Sequence, residues 1–290
     1  MQINYLSLKT LKFLVDDYLL KATLKKEDNM RRICLFAGYD KDNKIQDYVI
    51  YLIKELAKIS EVYFMGNGNF PPDELIKIAP YTQMFYSKKQ PMKDFGAWQY
   101  LINKLGWEKL EQYDELVLCN DSVYGPLYNL ENFFRSMERK GYDFWSVTSD
   151  YENHFHLHSY CMAFSQDVVK NSQFHKFWQS VPFSYNAENC EMELTPLLIA
   201  QGFIGNSYIR TFKQENILRH PVQMLQEHQV PFVKVKSFLP ENAYTAGTGI
   251  ELRYQLRTKT DYDTALIQKH IDVAHLPQTM GQKIARFAGL

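Results

Sequence analysis

Three short apolar runs constrain this chain more than any other feature: residues 32–38 (RICLFAG), 61–65 (EVYFM) and 115–119 (ELVLC). Runs of this kind, bounded by turn formers, suit strands buried on both faces, and such strands belong to parallel sheets covered by helices on both sides. Residues 46–59 and 96–105 lie between them and read as helices. A short strand is expected near residues 84–86, and residues 144–148, 159–164 and 232–235 add three further candidates. The βαβα rhythm predicts an α/β fold, a mostly parallel sheet flanked by helices. Ligands of such folds gather outside the carboxyl ends of the strands, so the loops that follow the strands should carry the chemistry.

Composition narrows the function by exclusion. The 33 basic and 33 acidic side chains balance, without the basic excess or stripe of a nucleic-acid binder, so no nucleic-acid partner is expected. Cys34, Cys119, Cys161 and Cys190 are far apart and form no CxxC pair. Their spacing gives neither a zinc framework nor a disulfide scaffold, and a reducing cytoplasm fits best. The opening Met1-Gln2-Ile3-Asn4-Tyr5 lacks a basic region leading into an apolar core. No uncharged stretch reaches the roughly 18–20 residues that span a bilayer. Aromatic residues make up 15% of the chain; that suits a site stacking on sugars or bases, and drift in an AT-rich genome produces the same bias.

The expected organisation is an N-terminal helical leader over residues 1–30, a main domain over 31–275 and a tail over 276–290. In the leader, Leu6, Leu11, Leu14 and Tyr18 recur near helical spacing among Lys9, Lys12, Lys21 and Lys25. An amphipathic basic helix of this kind either packs on the main domain or a partner, or lies on an anionic membrane surface. The expected location is therefore cytoplasmic, with peripheral contact at the inner membrane left open. Residues 240–249 are rich in turn formers and read as a loop.

Four segments at strand or helix ends carry candidate chemistry. Asn120-Asp121-Ser122 closes the strand at 115–119, and Gly125-Pro126 then turns the chain. A carboxylate there can hold Mg²⁺ or Mn²⁺ against a diphosphate, although Asn, Asp and Ser also make ordinary turns and helix caps. Asp94 precedes the helix at 96–105 and as a bare pattern is its N-cap. Glu191 and Glu193 open an apolar helix that ends at Gly202; either is a candidate general base, or simply a favourable charge in a first turn. His154, His156 and His158 alternate, which places them on one face of a strand, though ligand-spaced partners for a metal are missing. No phosphate loop, dinucleotide fingerprint or nucleophile elbow occurs.

Read in order, these segments resemble the rhamnan synthesis protein F family of bacterial glycosyltransferases. The similarity runs from Arg32-Ile33-Cys34-Leu35-Phe36-Ala37-Gly38-Tyr39-Asp40 through Asp94-Phe95-Gly96-Ala97-Trp98 and Gly106-Trp107. Tyr113-Asp114-Glu115-Leu116, then Asn120-Asp121-Ser122-Val123-Tyr124-Gly125-Pro126-Leu127, matches its most recognisable block. Asp143-Phe144-Trp145, Ser159-Tyr160, Phe174, Phe177-Trp178, Glu191, Leu194-Thr195 and Gly202 keep the family order over roughly residues 30–275.

That resemblance implies a GT-A-like sheet and a hexosyltransferase activity. The sugar, often rhamnose, would move from a nucleotide-sugar donor to a growing lipid-linked glycan, lipopolysaccharide or capsule. It implies Asp121, with Asn120 and Ser122, at the metal–diphosphate, in a motif with one carboxylate where Asp-x-Asp has two. A Mg²⁺ or Mn²⁺ ion, or fixed cationic side chains in its place, would complete that site. Glu191 falls at the family's glutamate and is the implied base. Tyr39 is placed to stack on the nucleobase, Asp94 to orient the base or ribose, and His156 at a family histidine in the donor site, while His158 departs from the usual glutamine. Two other readings remain: a non-catalytic scaffold of a polysaccharide assembly, and another carboxylate-dependent α/β enzyme.

Overall fold

The computed structural model describes residues 30–151, 153–183, 187–209, 220–238 and 249–275. Of the expected leader helix over residues 1–30 all but Met30, of the expected loop over 240–249 all but Gly249, and the whole tail 276–290 lie outside the described residues. From Arg32 onward the chain forms one unit. Its strands are β1 (Arg32–Gly38), β2 (Glu61–Gly66), β3 (Met84–Ser87), β4 (Glu115–Asn120), β5 (Val123–Tyr124), β6 (Phe144–Ser146), β7 (Ser149–Asp150), β8 (His156–Leu157), β9 (Cys161–Ser165), β10 (Gly205–Ser207) and β11 (Val233–Lys234). The helices that matter for the site are α1 (Asp47–Leu56), α2 (Lys93–Leu105), α3 (Leu130–Glu138), α4 (Ser172–Ser180) and α5 (Ala187–Ala200).

Seven strands form one sheet in the order β10-β6-β9-β4-β1-β2-β3. All neighbours pair parallel except β9, which runs antiparallel to both β4 and β6. The mostly parallel sheet flanked by helices is thus the fold the sequence predicts. The physical cause is double-sided burial. Cys34 and Phe36 of β1 join one apolar layer with Val117 and Cys119 of β4, while Ile33, Leu35, Ala37, Leu116 and Leu118 join the other. Helix α1 supplies Tyr48, Val49, Leu52, Ile53 and Leu56 to the first layer, one stripe of a 3.6-residue period. Helix α2 supplies Phe95, Trp98, Leu101 and Ile102 to the second. Full burial of each such side chain is worth about 1.5–3 kcal/mol. Trp98, with no exposed surface, also donates its indole N–H to the carbonyl of Cys119 at 3.1 Å.

Three details differ from the sequence expectation. Helix α2 starts at Lys93, so Asp94 lies in its first turn; the cap position belongs to Met92, whose φ is 65°. The close approach of Gly96 to Pro91 shapes this start, since a Cβ there would sit 1.8 Å from the Pro91 carbonyl oxygen. Residues 232–235 yield only the two-residue β11, which pairs antiparallel with β5 outside the large sheet. The histidine run contributes only His156 and Leu157 to a strand. For the two strands a pairing partner, not the local pattern, sets the boundary.

At the amino ends of the central strands a buried charge cluster ties the two halves of the sheet. Arg32 stands in register with Glu115 and donates from Nε to Glu115 Oε2 at 2.7 Å. The same guanidinium pairs with Glu138 of α3 and stacks over Phe134 at 5.1 Å. Trp145 donates to the other Glu115 oxygen at 2.9 Å.

Candidate functional site

At the opposite end of the sheet, β1 has β2 on one side and β4 on the other, with β2 and β3 continuing away from β4. A reversal of this kind leaves a crevice outside the carboxyl ends of the two strands. The backbone N–H of Tyr39, just past β1, donates to Asp121 Oδ2 at 2.5 Å, and the Tyr48 hydroxyl donates to the Asp121 carbonyl at 2.9 Å. The Tyr39 ring is left 62% exposed beside them. Asp40 shapes the loop by accepting from the backbone N–H groups of Asp42 and Lys44 and from the Gln46 amide.

Asn120 explains why an amide stands where a second carboxylate is often found. Its Nδ2 donates to Asp94 Oδ2 at 2.7 Å, while its Oδ1 accepts from the Ser122 backbone N–H at 3.1 Å and the Ser122 hydroxyl at 2.6 Å. Only a side chain with both a donor and an acceptor serves those neighbours, and an aspartate here would face the Asp94 carboxylate. Burial pushes the Asp94 carboxyl up to about 6, against the pull of Lys234 and the Asn120 hydrogen bond. Burial, followed by the Asp94 charge, holds Asp121 well above the usual carboxylate range.

The Asp94 shift carries a stability prediction. A carboxyl raised in the folded state costs stability once ionised; the cost is absent below its ordinary pKa and grows as pH rises through about 6. The full shift would correspond to about 3 kcal/mol, and with Asp94 only half-buried solvent screening brings this to about 1–2 kcal/mol. Asp94→Asn keeps an acceptor for Asn120. It should therefore melt higher than the wild type at pH 7.5, with the difference gone near pH 4. Thermal melts at the two pH values check this; equal melting at pH 7.5 would contradict it.

A second group lies within electrostatic reach of the first, the Glu191 charge acting on Asp94. Glu191 of α5 accepts from the Ser159 backbone N–H at 3.2 Å and from the Ser159 hydroxyl at 2.9 Å. His156 and His158 approach the same carboxylate, with one ligand atom from each of the three residues lying within 4.8 Å of the others. His156 Nδ1 pairs with the His154 carbonyl at 3.0 Å and His158 Nδ1 with the Thr148 hydroxyl at 2.8 Å. Each ring thus keeps Nε2 on the side away from that partner, the usual arrangement of a ligating imidazole. Burial lowers His158 to about 4, so it is neutral at physiological pH. His154 does not join them; its Nε2 pairs with the Met192 carbonyl at 2.9 Å. Glu193 is exposed and stands outside the group. Leu157 N–H to Thr195 Oγ1, at 3.0 Å, fastens β8 to α5.

Lys234 joins the two groups, and sequence reasoning missed it. It lies on β11 opposite Val123, and its Nζ donates to the Ser122 hydroxyl at 3.0 Å and sits 4.2 Å from the Tyr160 ring centre. Burial lowers it to about 8, opposed by the charges of Glu191 and Asp94. The approach of β11 depends on Gly125, where φ is +147° and a Cβ would lie 2.6 Å from both Phe232 Cδ1 and the Pro231 carbonyl. The signal available in the sequence was a lone lysine inside the apolar run Val230-Pro231-Phe232-Val233-Lys234-Val235.

The structure therefore brings Tyr39, Asp94, Asn120, Asp121 and Ser122 together at the β1–β4 crevice, places Glu191 with His156, and connects the groups electrostatically through Lys234. Cavity size points elsewhere. A cavity of about 460 Å³ lined by Tyr51, Glu55, Tyr128, Arg257, Asp261 and Tyr262 contains none of these residues. A small recess at Gly38, Tyr39, Asp40, Tyr48 and Asp121 adjoins them. The convergent ionisable groups, rather than volume, mark the candidate site.

The family model of rhamnan synthesis protein F matches residues 62–286, and the chain belongs to that family. An uncharacterized protein, y4gN, of Sinorhizobium fredii is 24% identical over 174 residues, covering 57% of this chain and 45% of the relative. The chain thus spans about half the length of the curated relative it matches. Among solved structures, the glycosyltransferase GlyE of Streptococcus pneumoniae aligns with a TM-score of 0.48 at 11% identity, covering 85% of this chain and 64% of GlyE. The Mn/GDP form of core-mannan synthase A from Aspergillus fumigatus aligns with a TM-score of 0.33 at 10% identity, over 52% of this chain and 64% of the synthase. At such identities and TM-scores neither chemistry nor substrate transfers. No helix among the described residues is long and apolar enough to cross a membrane.

Proposed function

We propose that this chain is a hexosyltransferase that moves a sugar from a nucleotide-sugar donor to a growing bacterial surface glycan. Family membership supports this reading, and the observation that carries it is the crevice itself: Tyr39 and Asp121 joined across the ends of β1 and β4, with the Glu191 charge acting through space on the neighbouring Asp94. The exposed Tyr39 ring offers a face to the nucleobase. Asp94 gives Oδ2 to Asn120, and its other oxygen is the atom proposed to orient the base or ribose. Asn120, Asp121 and Ser122 border the diphosphate, and His156 borders the sugar. Rhamnose is the proposed sugar and a lipid-linked glycan the proposed acceptor, which would bring the chain to the cytoplasmic face of the inner membrane.

The proposed reaction is a direct displacement. The acceptor hydroxyl oxygen bonds to the anomeric carbon, the bond from that carbon to the diphosphate breaks, and the hydroxyl proton passes to Glu191. Ser159 holds both Glu191 oxygens and so fixes the direction from which the proton is taken.

A Mg²⁺ or Mn²⁺ ion at Asp121 would supply Lewis-acid charge to the leaving diphosphate. The surroundings fit it poorly. Asp121 is the single carboxylate of its motif, its Oδ2 already accepts from Tyr39, and the Lys234 ammonium stands at the adjacent Ser122. His156, His158 and Glu191 are the described group able to hold a metal ion, and their nitrogen donors suit Mn²⁺ or a softer ion better than Mg²⁺.

Incubation with labelled nucleotide sugars and a bacterial lipid-linked glycan fraction tests the proposal. Label should enter the glycan in step with release of a nucleoside diphosphate. Absence of transfer from every donor, by protein that remains folded, would contradict it.

A further inference from the structure

Resting on the donor-site reading above, we propose that Lys234 is the cation of that site, binding the donor's diphosphate with its ammonium group where a two-carboxylate motif would use a divalent metal.

Placement comes first. Strand β11 is fastened to the segment directly after β4 by the pairing of Lys234 with Val123 and by the Val235 N–H donating to the Ser122 carbonyl at 3.0 Å. The lysine is therefore a fixed part of the Asn120-Asp121-Ser122 corner, although it lies 112 residues from Ser122 in sequence. Its ammonium has three donors. One is spent on the Ser122 hydroxyl, whose own proton goes to Asn120 Oδ1, and one side of the group rests over the Tyr160 ring. An N–H remains for a phosphoryl oxygen.

The charge balance agrees. The partners that hold Lys234 are a neutral hydroxyl and a neutral ring, while Glu191 and Asp94 act on it only through space. A largely buried ammonium satisfied in this way gains from an anion that hydrogen-bonds to it. Burial holds Asp121 well above the usual carboxylate range, which lowers its repulsion of a diphosphate. The same ammonium repels a second cation at this corner. Lysine is a common phosphate binder of the point-charge type, and as the diphosphate departs it would meet the growing negative charge.

Calorimetric titration with UDP, GDP and dTDP tests this, using the wild type, Lys234→Met and Lys234→Arg, each in EDTA and again in Mn²⁺. The wild type should bind one nucleotide in EDTA within about threefold of its affinity in Mn²⁺. Lys234→Met should weaken that binding about 10- to 100-fold, the range for loss of a charge-assisted hydrogen bond, and Lys234→Arg should recover part of it. Binding by Lys234→Met equal to the wild type would overturn the inference while leaving the donor-site reading intact. So would wild-type binding that vanishes in EDTA, a result independent of whether the methionine variant folds. Absence of binding by the wild type in both conditions would remove the donor-site reading and this inference with it.

Discussion

Glu191→Gln should lower the rate of sugar transfer by about 10²–10⁴-fold, the usual contribution of a general base, while leaving nucleotide affinity within a few-fold. The split between rate and affinity follows from what glutamine keeps. It has nearly the same shape, and its carbonyl oxygen can still accept from the Ser159 hydroxyl, which holds the Glu191 carboxylate at 2.9 Å. It cannot take up a proton. Loss of packing is therefore small, and loss of the proton acceptor is complete. Single-turnover rates beside a nucleotide titration separate the two effects. A fall in rate of less than about tenfold would withdraw the base assignment and leave Glu191 to its other described role, beside His156 and His158 as part of a group able to hold a metal ion.

Arg32→Met should destabilise the fold by about 3–5 kcal/mol, because it removes one member of a buried ion cluster and leaves the rest. Glu115 is 6% exposed, and without the guanidinium its carboxylate would keep only the Trp145 N–H among the contacts described above. Burial already raises Glu115, and Arg32 is the main opposing influence. Removing that influence raises it further. By the same sign argument as for Asp94, the variant should regain much of its lost stability as pH falls and Glu115 takes up a proton. Replacing both partners, as Arg32→Met with Glu115→Leu, should cost less than Arg32→Met alone. Urea unfolding at neutral pH measures each value; a loss below about 1 kcal/mol for Arg32→Met would show that the cluster is replaceable packing.

The parts of this molecule legible in its sequence are those whose cause is local or repeated. Strands β1, β2 and β4 are readable because burial on both faces writes a continuous apolar run. From them follows the crevice at their carboxyl ends, and hence the position of Tyr39 and of Asn120-Asp121-Ser122. The two-residue strands β5, β7, β8 and β11 write no such run, since each exists only through its pairing partner. Asp94 reads as a helix cap because caps are what Asp most often does beside an apolar repeat. Its actual commitment to Asn120 depends on the left-handed turn at Met92 and the tight contact at Gly96.

Long-range convergence was the harder part. Alternation brought out His156 and His158, but nothing in spacing joins them to Glu191 on a helix more than thirty residues later. Lys234 was hidden for a different reason. A single lysine in an apolar run reads as a solvent-facing position, whereas here Gly125 lets β11 approach closely enough to turn that side chain into the site. Family resemblance named Glu191 where pattern alone left it level with Glu193, and the structure separates the two by exposure and by the Ser159 contacts.

The central claim is that the β1–β4 crevice binds an activated-sugar nucleotide, and one titration tests it most directly. Wild-type protein and Asp121→Ala are titrated with a panel of nucleoside diphosphates and their sugars, following the heat released. Saturable binding of one nucleotide, weakened at least about tenfold when the Asp121 carboxylate no longer ties the Tyr39 loop to β4, is the predicted result. Absence of binding by folded wild-type protein, or equal binding by Asp121→Ala, would contradict the account.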